Sequence, residues 1–307
     1  MKIIVTGGAG FIGSHLVDSL VEERYTVIVI DNLSTGIKSN INTKAEFYKL
    51  DIQDKRIQSI FQKEKPDIVY HLAAAINVRK SIKDPLQDID TNISGSINLL
   101  EASKLVQPKK FIFVSTGGAL YGDAAVIPTP EDYEIKPLSP YGINKFSIEK
   151  YLYYYWKMFG LNFTVLRLAN VYGPRQNAKG EAGVIAIFCN QIFKNIQPVI
   201  NGNGLQTRDF IYVDDVITAL KLVLNKGDQG AFNIGTGKET NIKTIFEKIS
   251  HLTNSSFSAV FNTKAIEEQR RSCLNVDKAT RELGWTPKVS LEDGLLSTVN
   301  WFKENIN

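Results

Sequence analysis

The chain is poor in the residues that build metal centres and disulfide frameworks. Its 307 residues include two cysteines, Cys189 and Cys273, and three scattered histidines. Two thiols cannot staple a fold of this size, and neither they nor the histidines show metal-ligand spacing. No metal is expected, and the cysteines read as small buried side chains. A long apolar run is also missing. Met1-Lys2 leads at once into an apolar strand that breaks at Gly7, too short for a signal-peptide core or a membrane span. A soluble cytoplasmic protein with no membrane partner is the expectation. Charge of one sign is scarce as well. A net +4 spread along the chain argues against a nucleic-acid partner, which usually meets a concentrated basic face. It suits a small anionic ligand equally well. At this length one core is exceeded, so a large domain with a smaller companion is expected.

Apolar runs and helical periodicity alternate through the first half. Lys2 to Thr6 reads as a buried strand, Phe11 to Glu22 as a helix, and Thr26 to Ile30 as a second strand closed by Asp31. Glu46 to Leu50, Asp67 to Leu72, Phe111 to Ser115 and Phe163 to Leu168 follow as strands. Ile57 to Lys63, Asp88 to Leu105 and Tyr141 to Phe159 follow as helices. Such alternation specifies an α/β fold, a doubly wound parallel (Rossmann) sheet. Tyr172 to Gly183 is rich in Gly, Pro and polar residues and reads as a long functional loop. Asn201-Gly202-Asn203-Gly204 is a turn signal. The last third alternates more weakly and ends in an amphipathic segment, Leu291 to Asn305. The expected division is 1–169 for the first domain, which also receives about 209–232, and 170–307 mainly for a smaller α/β substrate-binding lobe.

Thr6-Gly7-Gly8-Ala9-Gly10-Phe11-Ile12-Gly13 joins the first strand to the first helix. A turn here needs a residue that tolerates positive φ, close approach to a pyrophosphate needs residues without Cβ, and tight helix–strand packing needs a third small residue. The helix N-terminus then offers free N–H groups to phosphate. Glycine spacing alone is weak. With a strand before it, a helix after it and Asp31 ending the next strand, it specifies a dinucleotide site. The Asp31 carboxylate would accept from ribose hydroxyls and repel a 2′-phosphate, which favours NAD over NADP.

Tyr141-Gly142-Ile143-Asn144-Lys145 puts a phenol and an ammonium on one helix face. A phenol near pKa 10 is a poor base at neutral pH. Lowering it by roughly three units takes about 4 kcal/mol, much of which a close cation in a desolvated site supplies. The Tyr151, Tyr153–Trp156 cluster farther along this helix suits packing or a subunit interface better than chemistry.

Taken together, the chain resembles the extended short-chain dehydrogenase/reductase family, and within it the nucleotide-sugar 4-epimerases of the UDP-glucose 4-epimerase type. The matching motifs are TGGAGFIG (Thr6 to Gly13), DN (Asp31, Asn32), DI (Asp51, Ile52), HLAA (His71 to Ala74), STGGALYG (Ser115 to Gly122) and SPYGINK (Ser139 to Lys145). LRLANVYGPRQ (Leu166 to Gln176), RDFIYVDDV (Arg208 to Val216), NIGTG (Asn233 to Gly237) and RELGW (Arg281 to Trp285) extend the match over nearly the full length.

The resemblance implies NAD as cofactor, held by Gly7, Gly10, Phe11, Ile12, Gly13, Asp31, Asn32, Asp51, Ile52, Leu72, Ala73, Ala74, Tyr141 and Lys145. It implies Tyr141 as the acid–base, with Lys145 and a hydroxyl beside it. It also implies a UDP-sugar substrate contacted by Asn170, Val184 and Arg208, and a homodimer formed through the helices at Asp88 to Leu105 and Tyr141 to Phe159.

Three departures stand out. Counted back from Tyr121, the family's Ser/Thr position holds Gly117, so the hydroxyl role is assigned to the adjacent Thr116. Relatives carry an Arg-Pro-Gly-Glu stretch that binds the diphosphate, where this chain has Ala265-Ile266-Glu267-Glu268. Lys264, Arg270 and Arg271 are the candidate replacements. Where some relatives place a bulky Tyr beside the sugar, the chain has Ser272, which leaves room for an N-acetyl group.

The implied reaction is epimerisation at C4 through a 4-keto sugar, with no net redox change. A 4,6-dehydratase would need acidic residues after Thr116, where Gly117 and Gly118 stand. A decarboxylase or uronic-acid epimerase would need a cation at the sugar carboxylate, for which Arg79, Lys80 and Arg175 are candidates. A non-catalytic NAD sensor would be expected to lack Tyr141 or Lys145.

Overall fold

The computed structural model describes residues 1–178, 183–262 and 269–305. Strands β1 (Lys2–Thr6), β2 (Thr26–Asp31), β3 (Glu46–Lys49), β4 (Ile68–His71), β5 (Lys110–Thr116) and β6 (Phe163–Leu168) build the large sheet, and β7 (Asn170–Tyr172), β8 (Val199–Asn201) and β9 (Thr207–Tyr212) follow outside it. β10 (Gly230–Ile234) returns to the large sheet, after which come β11 (Glu239–Asn241), β12 (Val260–Asn262) and β13 (Arg271–Ser272). The large sheet is parallel throughout, in the order β10-β6-β5-β4-β1-β2-β3. Its order reverses between β1 and β4, so a cleft opens outside the carboxyl ends of those strands, where doubly wound folds bind ligands.

Both faces of the sheet are covered, and its strands are apolar in consequence. Ile3, Ile4 and Val5 are each fully buried, which is why β1 reads as an unbroken hydrophobic run and not an alternating one. Two apolar cores flank the sheet. One contains Ile3, Val5, Leu16, Val17 and Leu20; the other contains Ile4, Phe61, Leu99 and Ile148. Fully burying each such side chain stabilises the fold by roughly 1.5–3 kcal/mol.

The helices are α1 (Phe11–Glu22), α2 (Arg56–Glu64), α3 (Val78–Lys83), α4 (Pro85–Ile89), α5 (Gly95–Val106), α6 (Pro140–Phe159), α7 (Val184–Phe193), α8 (Val213–Leu222), α9 (Ile242–Thr253) and α10 (Leu291–Asn305). The helix expected over Asp88 to Leu105 starts earlier, at Pro85, and is interrupted by a π-turn at Asp90–Ser94. Helix α3 was hidden from periodicity by its length of six residues. Of residues 209–232, α8 packs on α1 and β10 edges the large sheet, whereas Asp209–Tyr212 lie in a second sheet. That sheet aligns β11, β9 and β13, with β7 pairing β9.

Candidate functional site

Backbone sterics explain the glycine loop. Gly7 turns the chain at φ +72°, and a Cβ there would lie 2.7 Å from the Ala73 nitrogen, which follows β4. A Cβ on Gly13 would come within 2.1 Å of the Gly7 carbonyl oxygen. The start of α1 can therefore close on the loop only without a side chain at that position. At Gly10 the nearest atom would be that same oxygen at 3.2 Å, a tight contact but much less severe than at Gly13. No side chain caps α1, and its first-turn N–H groups remain available to an anion. A backbone cradle without Cβ atoms at an uncapped helix start fits a dinucleotide pyrophosphate.

Asp31, at the end of β2, is 8% exposed. Its Oδ2 accepts from the Ala9 N–H at 3.0 Å and its Oδ1 from the Leu33 N–H at 2.8 Å. The carboxylate thus braces the glycine loop, and its remaining lone pairs can take ribose hydroxyls. Asn32 Nδ2 donates to Asp51 Oδ2 at 2.6 Å, joining two residues of the expected adenosine pocket. Ile52 beside them is buried. The Ala73 N–H donates to Thr6 Oγ1 at 3.3 Å, which places the Leu72–Ala74 segment along β1.

Helix α6 begins with Ser139, whose Oγ accepts from the Gly142 N–H at 3.2 Å, followed by Pro140 at the first helical position. A Cβ on Gly142 would lie 2.5 Å from the Ala119 oxygen. Its absence lets α6 start against the loop that follows β5, and this brings Tyr141 to Thr116. The Thr116 hydroxyl hydrogen-bonds Tyr141 and favours the ionised phenol. Burial opposes this more strongly, aided by the Asp88 carboxylate, and the phenol is held above its ordinary value. Lys145 Nζ donates to the Val114 carbonyl at 2.9 Å and sits 4.6 Å from the centre of the Phe113 ring. Burial lowers its pKa to about 8, against the opposing charges of Asp88 and Glu149. The lowering expected from the neighbouring ammonium is not what acts on Tyr141: burial and the Asp88 carboxylate raise its pKa, and the Thr116 hydroxyl lowers it.

A distant residue packs against the Gly117 position. A Cβ there would lie 2.4 Å from Leu274 Cδ1, so that position faces packed apolar side chain. Thr116 carries the hydroxyl that reaches Tyr141. The next residue, Gly118, opens on the site. Its Cβ position is 3.6 Å from Asn170 Oδ1 and 4.0 Å from both Ser272 Oγ and Thr116 Oγ1. Three candidate residues spread over more than 150 positions of the chain therefore surround one point.

Arg208 lies on β9 in register with Ser272 of β13, and Asn170 pairs with Phe210 of the same strand. Val184 is half-exposed at the first position of α7. Lys264 and the Ala265–Glu268 stretch lie outside the described residues. Arg271 is engaged with Glu239 (Nε to Oε1, 2.9 Å).

Two polar residues of this region escaped the sequence reading. Asp209 is 1% exposed. Its carboxylate accepts from the N–H groups of Thr236 (2.8 Å), Gly237 (3.2 Å) and Leu274 (3.3 Å), tying β9 to the β10–β11 loop and to Leu274. Its only sequence signal is its place in the RDFIYVDDV motif. Asp88, buried beneath α6, has no sequence signal. Arg175, one of the cations considered for a uronate, pairs with Asp18 at 2.7 Å. Among the described residues no group of three potential ligands could hold a metal, and no helix is long and apolar enough to cross a membrane.

Residues 3–235 match the NAD dependent epimerase/dehydratase family. A putative UDP-glucose 4-epimerase of Methanocaldococcus jannaschii is 46% identical over 303 residues, covering 99% of both chains. A crystal structure of UDP-glucose 4-epimerase from Thermotoga maritima with UDP-glucose superposes with a TM-score of 0.97 at 48% identity, covering 99% of each chain. A UDP-N-acetylglucosamine 4-epimerase from Methanobrevibacter ruminantium M1, in complex with UDP-N-acetylmuramic acid, reaches 0.94 at 35% identity, again over 99% of each chain.

Proposed function

Because the chain belongs to the NAD dependent epimerase/dehydratase family, we propose that it is an NAD-dependent 4-epimerase of UDP-sugars, interconverting UDP-glucose and UDP-galactose and accepting the N-acetylated forms. The observation that carries this reading is the meeting of Thr116 with Tyr141 one helical turn from Lys145, at the carboxyl edge of the sheet that also bears the glycine loop.

Gly7, Gly10 and the α1 N-terminus hold the pyrophosphate. Asp31, Asn32, Asp51 and Ile52 hold the adenosine, and Leu72–Ala74 with Lys145 line the path to the ring. NAD supplies a hydride acceptor at sugar C4 and a positive ring that favours the phenolate. Tyr141 takes the C4 hydroxyl proton and later returns it. Thr116 steadies the oxygen between these steps by hydrogen bonding. Lys145, held by Val114, adds positive charge beneath the phenol. Asn170 and Arg208 bind the diphosphate, for which a guanidinium fork is suited. This binding far from the reacting carbon keeps the oxidised sugar in place. Small Ser272 leaves space beside the sugar.

The alternatives lose support at particular residues. A dehydratase needs an acid after Thr116, and the Gly117 position is closed by Leu274. A uronate needs a cation, and Arg175 is matched by Asp18. A sensor has no use for the Thr116–Tyr141 contact. Exposed Leu105, Tyr151, Tyr154 and Met158 on α5 and α6 are the faces through which the protein dimerises, and it works in the cytoplasm. The test is NMR analysis of products formed by the NAD-loaded protein from UDP-glucose, UDP-galactose and UDP-N-acetylglucosamine. Epimers at C4 are expected. Formation of a 4-keto-6-deoxy product, or no turnover of any of the three, would overturn the reading.

A further inference from the structure

A buried carboxylate unused in the chemistry above lies beneath the reactive end of α6. Asp88, on α4, is 3% exposed. Its Oδ2 accepts from Asn144 Nδ2 at 2.7 Å and from Asn92 Nδ2 at 3.0 Å. Asn92 holds both backbone groups of Ala75, accepting from its N–H at 3.0 Å and donating to its carbonyl at 2.9 Å. Asn144 immediately precedes Lys145, and Ala75 immediately follows the Leu72–Ala74 segment. Asn92 also sits in the π-turn Asp90–Ser94, a distortion that concentrates at functional sites. One carboxylate therefore ties a strand-end peptide of the cofactor cradle to the helix turn bearing Tyr141 and Lys145.

The charges around this pair are few. Asp88 acts on both Tyr141 and Lys145 and raises both pKa values. Glu149, one turn farther along α6, also acts on Lys145, but its carboxylate is matched by Arg167 at 2.6 Å and takes the Ser115 hydroxyl at 2.6 Å. His71 on β4 is kept neutral by burial and bonds Thr6 and Ser96 at 2.9 and 2.8 Å. From α3, Ser81 accepts the Tyr141 N–H at 3.2 Å, while Arg79, Lys80 and Lys83 are exposed. From β5 comes the uncharged Thr116. The partners of the Asp88 carboxylate are neutral amides, so its charge is left to act on the phenol and the ammonium.

We propose that Asp88 is a positioning residue for the Tyr141–Lys145 pair, setting its placement against the Ala73–Ala75 strand end through Asn92 and Asn144 and serving as counter-charge to the Lys145 ammonium. Its kinetic consequence rests on the epimerase reading; its electrostatic consequence does not. Asp88→Asn preserves shape and removes the charge. Phenolate then forms more easily and ammonium less easily, so both limbs of the kcat/KM–pH profile with UDP-glucose move to lower pH. About one unit is expected, roughly a tenfold change in each proton-binding constant. On the NAD-loaded protein, the tyrosinate absorbance that disappears with an added Tyr141→Phe shifts in the same direction, with no turnover required. Asp88→Glu, which retains the charge at a displaced position, keeps the limbs in place and lowers kcat. Should Asp88→Asn not fold, Asp88→Glu decides: unchanged kcat overturns the positioning role. Lowered activity with both the limbs and the tyrosinate midpoint unmoved in Asp88→Asn would reduce Asp88 to a packing residue and overturn the proposal. Absence of turnover by the parent protein would sink the epimerase reading while leaving the tyrosinate comparison decisive for Asp88.

Discussion

The glycine loop and the wall formed by Asn170, Arg208 and Ser272 serve one cleft but are assembled by different means. In the loop most constraints come from its own strand–helix–strand unit. The Gly7 oxygen limits Gly13 six residues away, and Asp31 reaches back to Ala9. Backbone sterics within the loop set most of the turn, and Gly7 must in addition clear the Ala73 backbone. The wall has no such autonomy. Its residues come from β7, β9 and β13, held in line by strand register and by the buried Asp209 carboxylate. A cofactor common to many enzymes is met by a self-contained motif. The part that distinguishes substrates depends on distant packing, where single replacements such as Ser272 can alter the shape of the site without disturbing the turn.

Perturbations can separate the two regions. Tyr141→Phe should have the largest effect, lowering kcat by about 10³- to 10⁴-fold with NAD affinity changed little in calorimetric titration; a comparable loss of NAD affinity would mean that the phenol belongs to the cradle.

Lys145→Met tests the cost of burying an ammonium. The folded lysine binds its proton less tightly than the unfolded one, with pKa about 8 against 10.5. The parent protein therefore carries a penalty of about 3 kcal/mol below pH 8, which disappears as the pH rises toward 10.5. The variant is expected to melt higher than the parent at pH 7, with the gap closing across that window. A constant gap would place its origin in packing.

Thr116→Val should lower kcat by about 10²-fold, and adding Gly117→Ser should not restore it, since the new Cβ meets Leu274. Recovery in the double variant, read in steady-state assays, would move the hydroxyl role to position 117.

The smallest contrast lies within the loop. Gly13→Ala is expected to cost about 1–3 kcal/mol in thermal melts through overpacking, whereas Gly10→Ala costs less in the melt and binds NAD about tenfold more weakly, a loss of about 1.4 kcal/mol. Equal melting of the two would erase the distinction between a glycine required by the fold and one required by the ligand.

The large sheet was readable because its strands are buried on both faces and its helices are amphipathic, so Phe11–Glu22, Phe163–Leu168 and Leu291–Asn305 have the bounds that periodicity predicts. The π-turn at Asp90–Ser94 was not readable, since the same residues would suit an unbroken helix. Helix α3 was too short for a period to show. In the site, the Tyr141–Lys145 face followed from helical spacing. The brace from Asp31 to Ala9, the Asp209 tie and the Asp88–Asn144 contact did not. Each joins polar groups whose meeting depends on how whole elements pack, and a lone Asp in sequence looks the same whether solvated or buried.

The amino-acid sequence by itself determined the dinucleotide turn and the shared face of Tyr141 and Lys145, because residues a few positions apart are placed by backbone geometry alone. Only the tertiary structure decided that the Thr116 hydroxyl meets Tyr141 while the Gly117 position meets Leu274. The choice turns on which of two neighbours at the end of β5 faces Tyr141 and which faces Leu274, and Leu274 arrives there from the far end of the chain by way of β13 and the Asp209 carboxylate.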